Sequence, residues 1–569
     1  MTTLSCQTVH ILWWYCLLKG RTMNAELARK SRGAFFTPPE MAEFIARWAI
    51  HTPDDCVLEP SCGEAAFLIP TIERLRDLGR SDAAIAAQVW GAELHAPSAQ
   101  VACETIEAMT GVGIIDRVRI GDFFEARAGD LIPLVDACIG NPPYVRYQSF
   151  SGDARRRGRE AALAAGVAID GLASSWAPFT VHAASFLKPG GRLGLVLPAE
   201  LLSVNYAAPV RRYLLENFGS VRVILFEERV FPGVLEEVVL LLAEGQGPCD
   251  KFDVVQVAGL ADLPALGERE WSSSPDAGKW TSLLLPDVTR EAIQAVEATC
   301  AFTPLDAAAS VSVGMVTGRN DYFCISETTR VALRLSEAQV TAMLPPGSKH
   351  ARGTEYTKAQ WEKARDEGSR VWLFTPTVQP SNAAREYIRY GAQRLLDQAY
   401  KCRVRTPWYR VPLVAAPDLF MVYMANEGPR LIENPGSLLN VNSVHGLHLR
   451  EGYSDYVSVL PTACLSTFTL LGAELVGRAY GGGLLKLEPR EASNLPIPTL
   501  ATLARCKESL LEVKATVCDH LQNGRFDTAV RLIDEIILVQ GMSLSPEVLE
   551  GLRVGREHLF GRRRKRSQG

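Results

Sequence analysis

Asn141, Pro142, Pro143 and Tyr144 close the apolar run "LVDACIG". Two successive prolines fix the backbone and remove two N–H donors, so carbonyl oxygens are presented outward. With the Asn141 side-chain oxygen converging on the Pro142 carbonyl, the turn offers two acceptors to a planar amino group with two N–H donors. An amine conjugated to a ring is a poor nucleophile, because its lone pair is delocalised. Holding both hydrogens in acceptors favours a pyramidal nitrogen. It returns the lone pair for in-line attack on an electrophilic methyl, with positioning and oriented dipoles supplying most of the rate. Tyr144 offers a face on which the ring bearing that amine can stack.

Upstream, "VLEPSCGEAAF" (57–67) reads as a strand, an acidic residue, a tight turn and a helix. Gly63 lets the backbone approach a ligand closely, and Glu59 can hold an ammonium or hydroxyl group. The next strand ends in Glu93, placed to accept from both hydroxyls of a ribose. The one after ends in "GDFF", where Asp122 can accept from an adenine amino group and Phe123 can cover the ring. Acids at the ends of three successive strands point to one nucleotide-like ligand. The G-x-G-x-x-G spacing of dinucleotide sites is missing, because Ala65 stands where a second glycine would be.

These motifs need a scaffold that brings strand ends together. From residue 33 to 245, continuous apolar runs alternate with helical stretches, the pattern of a mostly parallel sheet covered on both faces. A doubly wound α/β domain follows, and its ligands sit beyond the carboxyl ends of the strands. Past "LAEGQGPCD" the rhythm breaks, and residues 250–500 are read as a second, mixed α/β domain. A helical segment over 501–560 and a disordered basic tail over 561–569 follow. Residues 1–32 form a lead in which Met23 is a second candidate start. The run "VHILWWYCLL" is too short to span a membrane and lacks the flanks of a signal peptide.

At 569 residues the chain is long enough for two or more cores, and its formal charge of -4 points at no partner, so any nucleic-acid surface is local. Such a surface is expected at 385–410, where Arg385, Arg389, Lys401, Arg403 and Arg405 are interleaved with Trp408 and Tyr409. The loop "SGDARRRGRE" (151–160) is a second basic candidate, directly after the turn at Asn141. The thirteen cysteines form no C-x-x-C pair, which argues for a reducing cytoplasm and against a zinc site. Cys138 is read as a small buried residue of its strand, and no metal is expected.

Taken in order, "GAFFTPPE", "EPSCGEAAF", "GAEL", "GDFF", "NPPY" and "RVFPGV" resemble the S-adenosylmethionine-dependent adenine-N6 DNA methyltransferases of type II restriction-modification systems. In the group concerned, the cofactor motifs precede the catalytic one and the target-recognition domain follows. The resemblance implies a class I methyltransferase fold, with Phe36 and Thr37 at the methionine end of the cofactor. Glu59, Pro60 and Gly63 would line its pocket, Glu93 would take the ribose, and Asp122 and Phe123 the adenine. Asn141, Pro142, Pro143 and Tyr144 would hold a flipped-out target adenine, with Phe231 on its other face. Partners implied are double-stranded DNA and a cognate restriction endonuclease. A monomer suffices, since modification can proceed one strand at a time. Methylation of RNA or of a protein glutamine stays open, as does a DNA-binding protein that has lost catalysis.

Overall fold

The computed structural model describes residues 37–568 apart from Leu131, Arg229, 232–236, 267–279, Gly481 and Gly482. Phe36, the lead over 1–32 with Met23, and most of "RVFPGV" lie outside the described residues. The chain divides into two compact units, the first ending at Leu284 and the second running from Leu285 to Gln568.

The first unit is built on an eight-stranded sheet: β1 (Val57–Glu59), β2 (Val89–Glu93), β3 (Val118–Ile120), β4 (Val135–Gly140), β5 (Leu187–Pro198), β6 (Ser220–Phe226), β7 (Val238–Glu244) and β8 (Lys251–Val257). Their order is β3-β2-β1-β4-β5-β7-β6-β8. All neighbours pair parallel except β7, which is antiparallel to both β5 and β6. The carboxyl ends of β1 to β6 therefore share one edge, and the motifs after β1, β2, β3 and β4 fall there. β6 ends at the same edge, and Phe231 follows it five residues on. The strands that lead into Glu59, Glu93, Asp122 and Asn141 all belong to this sheet, as expected. The eighth moves the expected boundary at 245–250 downstream, because β8 pairs along its whole length with β6.

Helices α1 (Pro39–Ala49), α2 (Leu68–Asp77), α3 (Ala96–Thr110), α4 (Gly152–Ala164) and α5 (Trp176–Ala184) belong to the same unit. Gly194 on β5 explains how α1 reaches the sheet. A side chain there would come within 2.7 Å of the Ile45 methyl, so the missing Cβ lets the helix lie close. α1 thereby delivers Thr37, just before its start, to the turn after β4. The expected loop 151–160 is the first part of α4.

The second unit holds the antiparallel sheet β9 (Ala309–Val313), β10 (Leu419–Val422), β11 (Arg430–Glu433) and β12 (His445–Leu449), ordered β9-β12-β10-β11. Its helices include α6 (Asp287–Ala298), α7 (Asn382–Gln393), α8 (Thr467–Val476), α9 (Leu500–Gln522), α10 (Phe526–Asp534) and α11 (Pro546–Gln568). The first and last of these pack together, and small residues set the crossing: a Cβ at Gly555 would clash with the Thr289 side chain at 2.2 Å, and the Thr289 hydroxyl donates to the Gly551 carbonyl at 2.8 Å. The region 501–560 is thus part of the second unit rather than a segment apart. The expected disordered tail is also corrected. Residues 561–568 continue α11, and Arg563, 4 % exposed, pairs with the buried Glu474 at 2.6 Å and donates to the carbonyls of Asn426 and Gly483.

Candidate functional site

The turn after β4 is held from three sides. The Ser61 hydroxyl, in the turn after β1, donates to the Asn141 carbonyl at 3.0 Å. Ser175, just before α5, donates its hydroxyl to the Pro143 carbonyl and accepts from the Val145 N–H at 2.9 Å. Pro60 packs over Gly140, where a Cβ would sit 3.4 Å from its ring. Among the described residues the Pro142 carbonyl, lying between two bonded ones, accepts no hydrogen bond. The backbone thus spends two of three successive carbonyls on scaffolding and leaves the middle one available.

The Asn141 side chain is equally fixed. Its amide nitrogen donates to the Thr37 hydroxyl at 3.1 Å, and its Oδ1 lies 2.6 Å from the Tyr144 hydroxyl. The Tyr144 hydroxyl also lies 2.8 Å from the Val196 carbonyl on β5. Its ring is 9 % exposed, so what Tyr144 supplies in this conformation is its hydroxyl, orienting Asn141, rather than an open stacking face. Phe231 is buried against the core of the first unit. Cys138 is fully buried on β4, where burial pushes its thiol far up.

The acids at the strand ends lie as the spacing expects, yet each also has structural work. Glu59 is buried, and a single oxygen, Oε2, accepts from the N–H groups of Phe67 (3.1 Å) and Leu68 (2.9 Å) at the start of α2. Burial pushes its carboxyl well above the ordinary 4.5; the two N–H groups act against that shift, and the nearby Glu93 carboxylate adds to it. Glu93 accepts from the N–H of Gly63 at 2.9 Å and of His95 at 2.7 Å. Asp122 accepts from the Phe124 N–H at 3.0 Å and faces Arg157 of α4 at 3.0 Å. Phe123 is buried among Phe179, His182 and Phe186, and the half-buried ring at this strand end is its neighbour Phe124.

The pH consequence of Glu59 has a definite sign. The unfolded carboxyl ionises near 4.5 while the folded one keeps its proton to higher pH, so this group's contribution to stability is full below 4.5 and is lost as pH rises through the folded value. One amide oxygen can accept both N–H groups. Glu59→Gln is therefore expected to fold, to be at least as stable as the parent at pH 8, and to lose less stability between pH 5 and pH 8. Urea denaturation at the two pH values checks this; an unchanged slope would contradict it.

The residues fit the cofactor that the fold implies. Gly63 has φ +52° and Gly121 φ +145°, and a Cβ at either would meet nothing within 4 Å. Open space therefore adjoins Glu93 and Asp122, with Glu59 close behind, an acidic surround suited to a ligand that carries an ammonium, a cationic sulfur and ribose hydroxyls.

In the second unit the basic stretch divides by direction. Arg385, Arg389, Lys401 and Arg403 are exposed. Arg405 points inward and donates to the carbonyls of Val316 and Thr317. Trp408 packs on Tyr322 with centroids 5.6 Å apart and lies where a Cβ of Gly391 would clash with it, while Tyr409 packs edge-on against Trp408. Arg405 and Trp408 are thus structural in this conformation, against the DNA-contacting role expected of them. The other basic candidate is only partly paired: Arg157 bridges Asp122 and Glu125, and Arg156 pairs with Asp153 and Glu160, while Arg155 donates to the Phe150 and Tyr147 carbonyls and Arg159 is exposed. Nothing local marks Ser175, because 30 residues separate it from the Val145 N–H it receives. Ser61 lies within "EPSCGEAAF", where its type alone does not distinguish it from an ordinary turn residue.

Comparison with known proteins agrees with this geometry. The family N-6 DNA Methylase matches residues 20–257, and the family described as type II methyltransferase M.Eco57I, C-terminal domain, matches residues 277–538. The type II methyltransferase M.AccI of Acinetobacter calcoaceticus is 23 % identical over 526 residues, 90 % of this chain and 93 % of that protein. M.XamI of Xanthomonas campestris pv. amaranthicola is 24 % identical over 482 residues, 83 % and 86 % of the two chains. The solved structure of the type IIL restriction-modification enzyme MmeI in complex with DNA shares the fold at a TM-score of 0.57 and 12 % identity, covering 93 % of this chain and 75 % of that one. With the N-6 DNA Methylase family matching the first unit, the C-terminal domain of M.Eco57I matching the second, and relatives collinear over almost the whole length, the chain is similar throughout to type II restriction-modification DNA methyltransferases.

Proposed function

We propose that the chain transfers a methyl group from S-adenosylmethionine to N6 of a flipped-out adenine at a specific site in double-stranded DNA, shielding that site from a cognate restriction endonuclease in a prokaryotic cytoplasm. The observation that carries this reading is the pair of acceptors at the turn. Asn141 Oδ1 is aimed by Thr37 and Tyr144, and the Pro142 carbonyl is spared while its neighbours bond to Ser175 and Ser61.

S-adenosylmethionine supplies an electrophilic methyl when bound over the acidic strand ends. Asn141 and Pro142 accept the two hydrogens of the target amine and so draw its lone pair out of conjugation. Phe36 and Thr37 would take the methionine end, Glu59, Pro60 and Gly63 would line the pocket, Glu93 would take the ribose and Asp122 the adenine, whose ring would meet Phe124 rather than the buried Phe123. An adenine amino group in a duplex is engaged in base pairing, so the base leaves the stack to be methylated, and Tyr144 and Phe231 replace its lost stacking. This requires both rings to open from their buried positions. Arg385, Arg389, Lys401 and Arg403, exposed on the second unit, take phosphates. One chain suffices for one strand, so a monomer is the working unit.

The test is to supply methyl-labelled S-adenosylmethionine together with unmethylated genomic DNA, total RNA or a glutamine-bearing peptide. Label in double-stranded DNA alone is expected. Label in RNA or peptide with none in DNA would transfer the same amine chemistry to another substrate.

A further inference from the structure

The corner between α7 and the short helix Tyr400–Arg403 places an apolar side chain where the fold gives it nothing to do. Leu395 has φ +57° and ψ 27°, the left-handed region that disfavours every residue with a Cβ, and its side chain is 68 % exposed. A glycine or asparagine is the ordinary choice after a helix end of this shape. Leucine at this position adds backbone strain and also exposes apolar surface to water.

Its mount is rigid. Tyr387 stacks on Tyr322 at 4.5 Å, each hydroxyl donates to the other's carbonyl, and Leu396 and Cys402 on either side of the corner are buried in the same core. Around the tip the basic groups outnumber the one acid of the corner, Asp397, and among the described residues neither Arg394 nor Lys401 forms an ion pair. The Arg394 guanidinium lies over the Tyr390 ring at 5.1 Å, and the Lys401 ammonium lies 5.6 Å from the Tyr400 ring centre. A strained apolar tip on a rigid base, ringed by basic groups held on aromatic faces, suits a polyanion with a stacked apolar interior. Such a tip can slip between base steps while the basic groups reach phosphates.

We propose that Leu395 is an apolar wedge that enters the target duplex, with Arg394 and Lys401 on phosphates beside it. The inference rests on the reading of double-stranded DNA as substrate. The tests use the full chain, unmethylated plasmid DNA and labelled S-adenosylmethionine. Leu395→Gly removes both the wedge and the backbone strain, so its melting temperature is expected to equal or exceed the parent's while kcat/KM for plasmid methylation falls by about tenfold or more. Leu395→Asn, which also tolerates this backbone, is expected to lose activity likewise. In filter binding of the plasmid, Arg394→Ala is expected to reduce the slope of log affinity against log salt by about one, and Leu395→Gly to leave the slope unchanged. Parental activity in Leu395→Gly, or a lowered melting temperature, would overturn the wedge alone. A parent chain that labels no DNA would overturn the substrate reading, and the wedge with it.

Discussion

Asn141→Ala is expected to slow methyl transfer by a factor on the order of 10³ while S-adenosylmethionine still binds. Losing one oriented polar group aimed at a reacting centre costs roughly 10²–10³ in rate in comparable sites, and here the loss falls on one of only two acceptors. The fold should survive, because the turn does not depend on that side chain. The two prolines fix it from within, and Ser61 and Ser175 bind its carbonyls from outside. The acidic strand ends beside Gly63 and Gly121 are likewise untouched. Single-turnover transfer and calorimetric titration of the cofactor check the two halves separately. A variant that keeps more than about a tenth of the parental rate would remove Asn141 from catalysis.

Arg563→Ala should be strongly destabilising, although the residue lies in a basic segment six residues from the end. It is buried against an equally buried Glu474, and its remaining N–H groups hold the Asn426 and Gly483 carbonyls. Truncation leaves a carboxylate without its counter-charge inside the protein, a defect that costs about 3–5 kcal/mol. A marked fall in the urea midpoint of the second unit is expected. Pairing the change with Glu474→Leu, which removes the stranded charge, should restore much of the loss. An unchanged midpoint in the single variant would return the segment to the solvated tail that its composition suggests.

That contrast shows which parts of this protein are legible in a sequence. Strands covered on both faces read as unbroken apolar runs, so β1 to β7 and the order of the motifs at their ends stand out. β8, "KFDVVQV", alternates and follows a glycine-rich turn, and so it passes for the start of another domain. Asn141 and its prolines are visible because their chemistry is local. The hydroxyls that aim them are not, since the Asn141 side chain meets Thr37 across 104 positions and Tyr144 meets the Val196 carbonyl across 52. Charge runs mislead for a similar reason. "ARRRGRE" looks free until Asp122 and Glu125, some 30 residues upstream, are seen to hold Arg157. Composition likewise hides that Arg405 clamps 316–317 while Arg389 and Arg403 stay exposed. Adjacent phenylalanines show the finest limit: Phe123 enters the core and Phe124 the margin, a distinction only packing decides.

The central claim is that the two acceptors at the turn serve the N6 amine of adenine in DNA. It is tested most directly by digesting DNA labelled by the purified chain to nucleosides and identifying which one carries the methyl group. N6-methyldeoxyadenosine is the predicted product. N4-methyldeoxycytidine, whose parent base also bears a conjugated exocyclic amine, or C5-methyldeoxycytidine, which needs no such acceptors, would contradict the account.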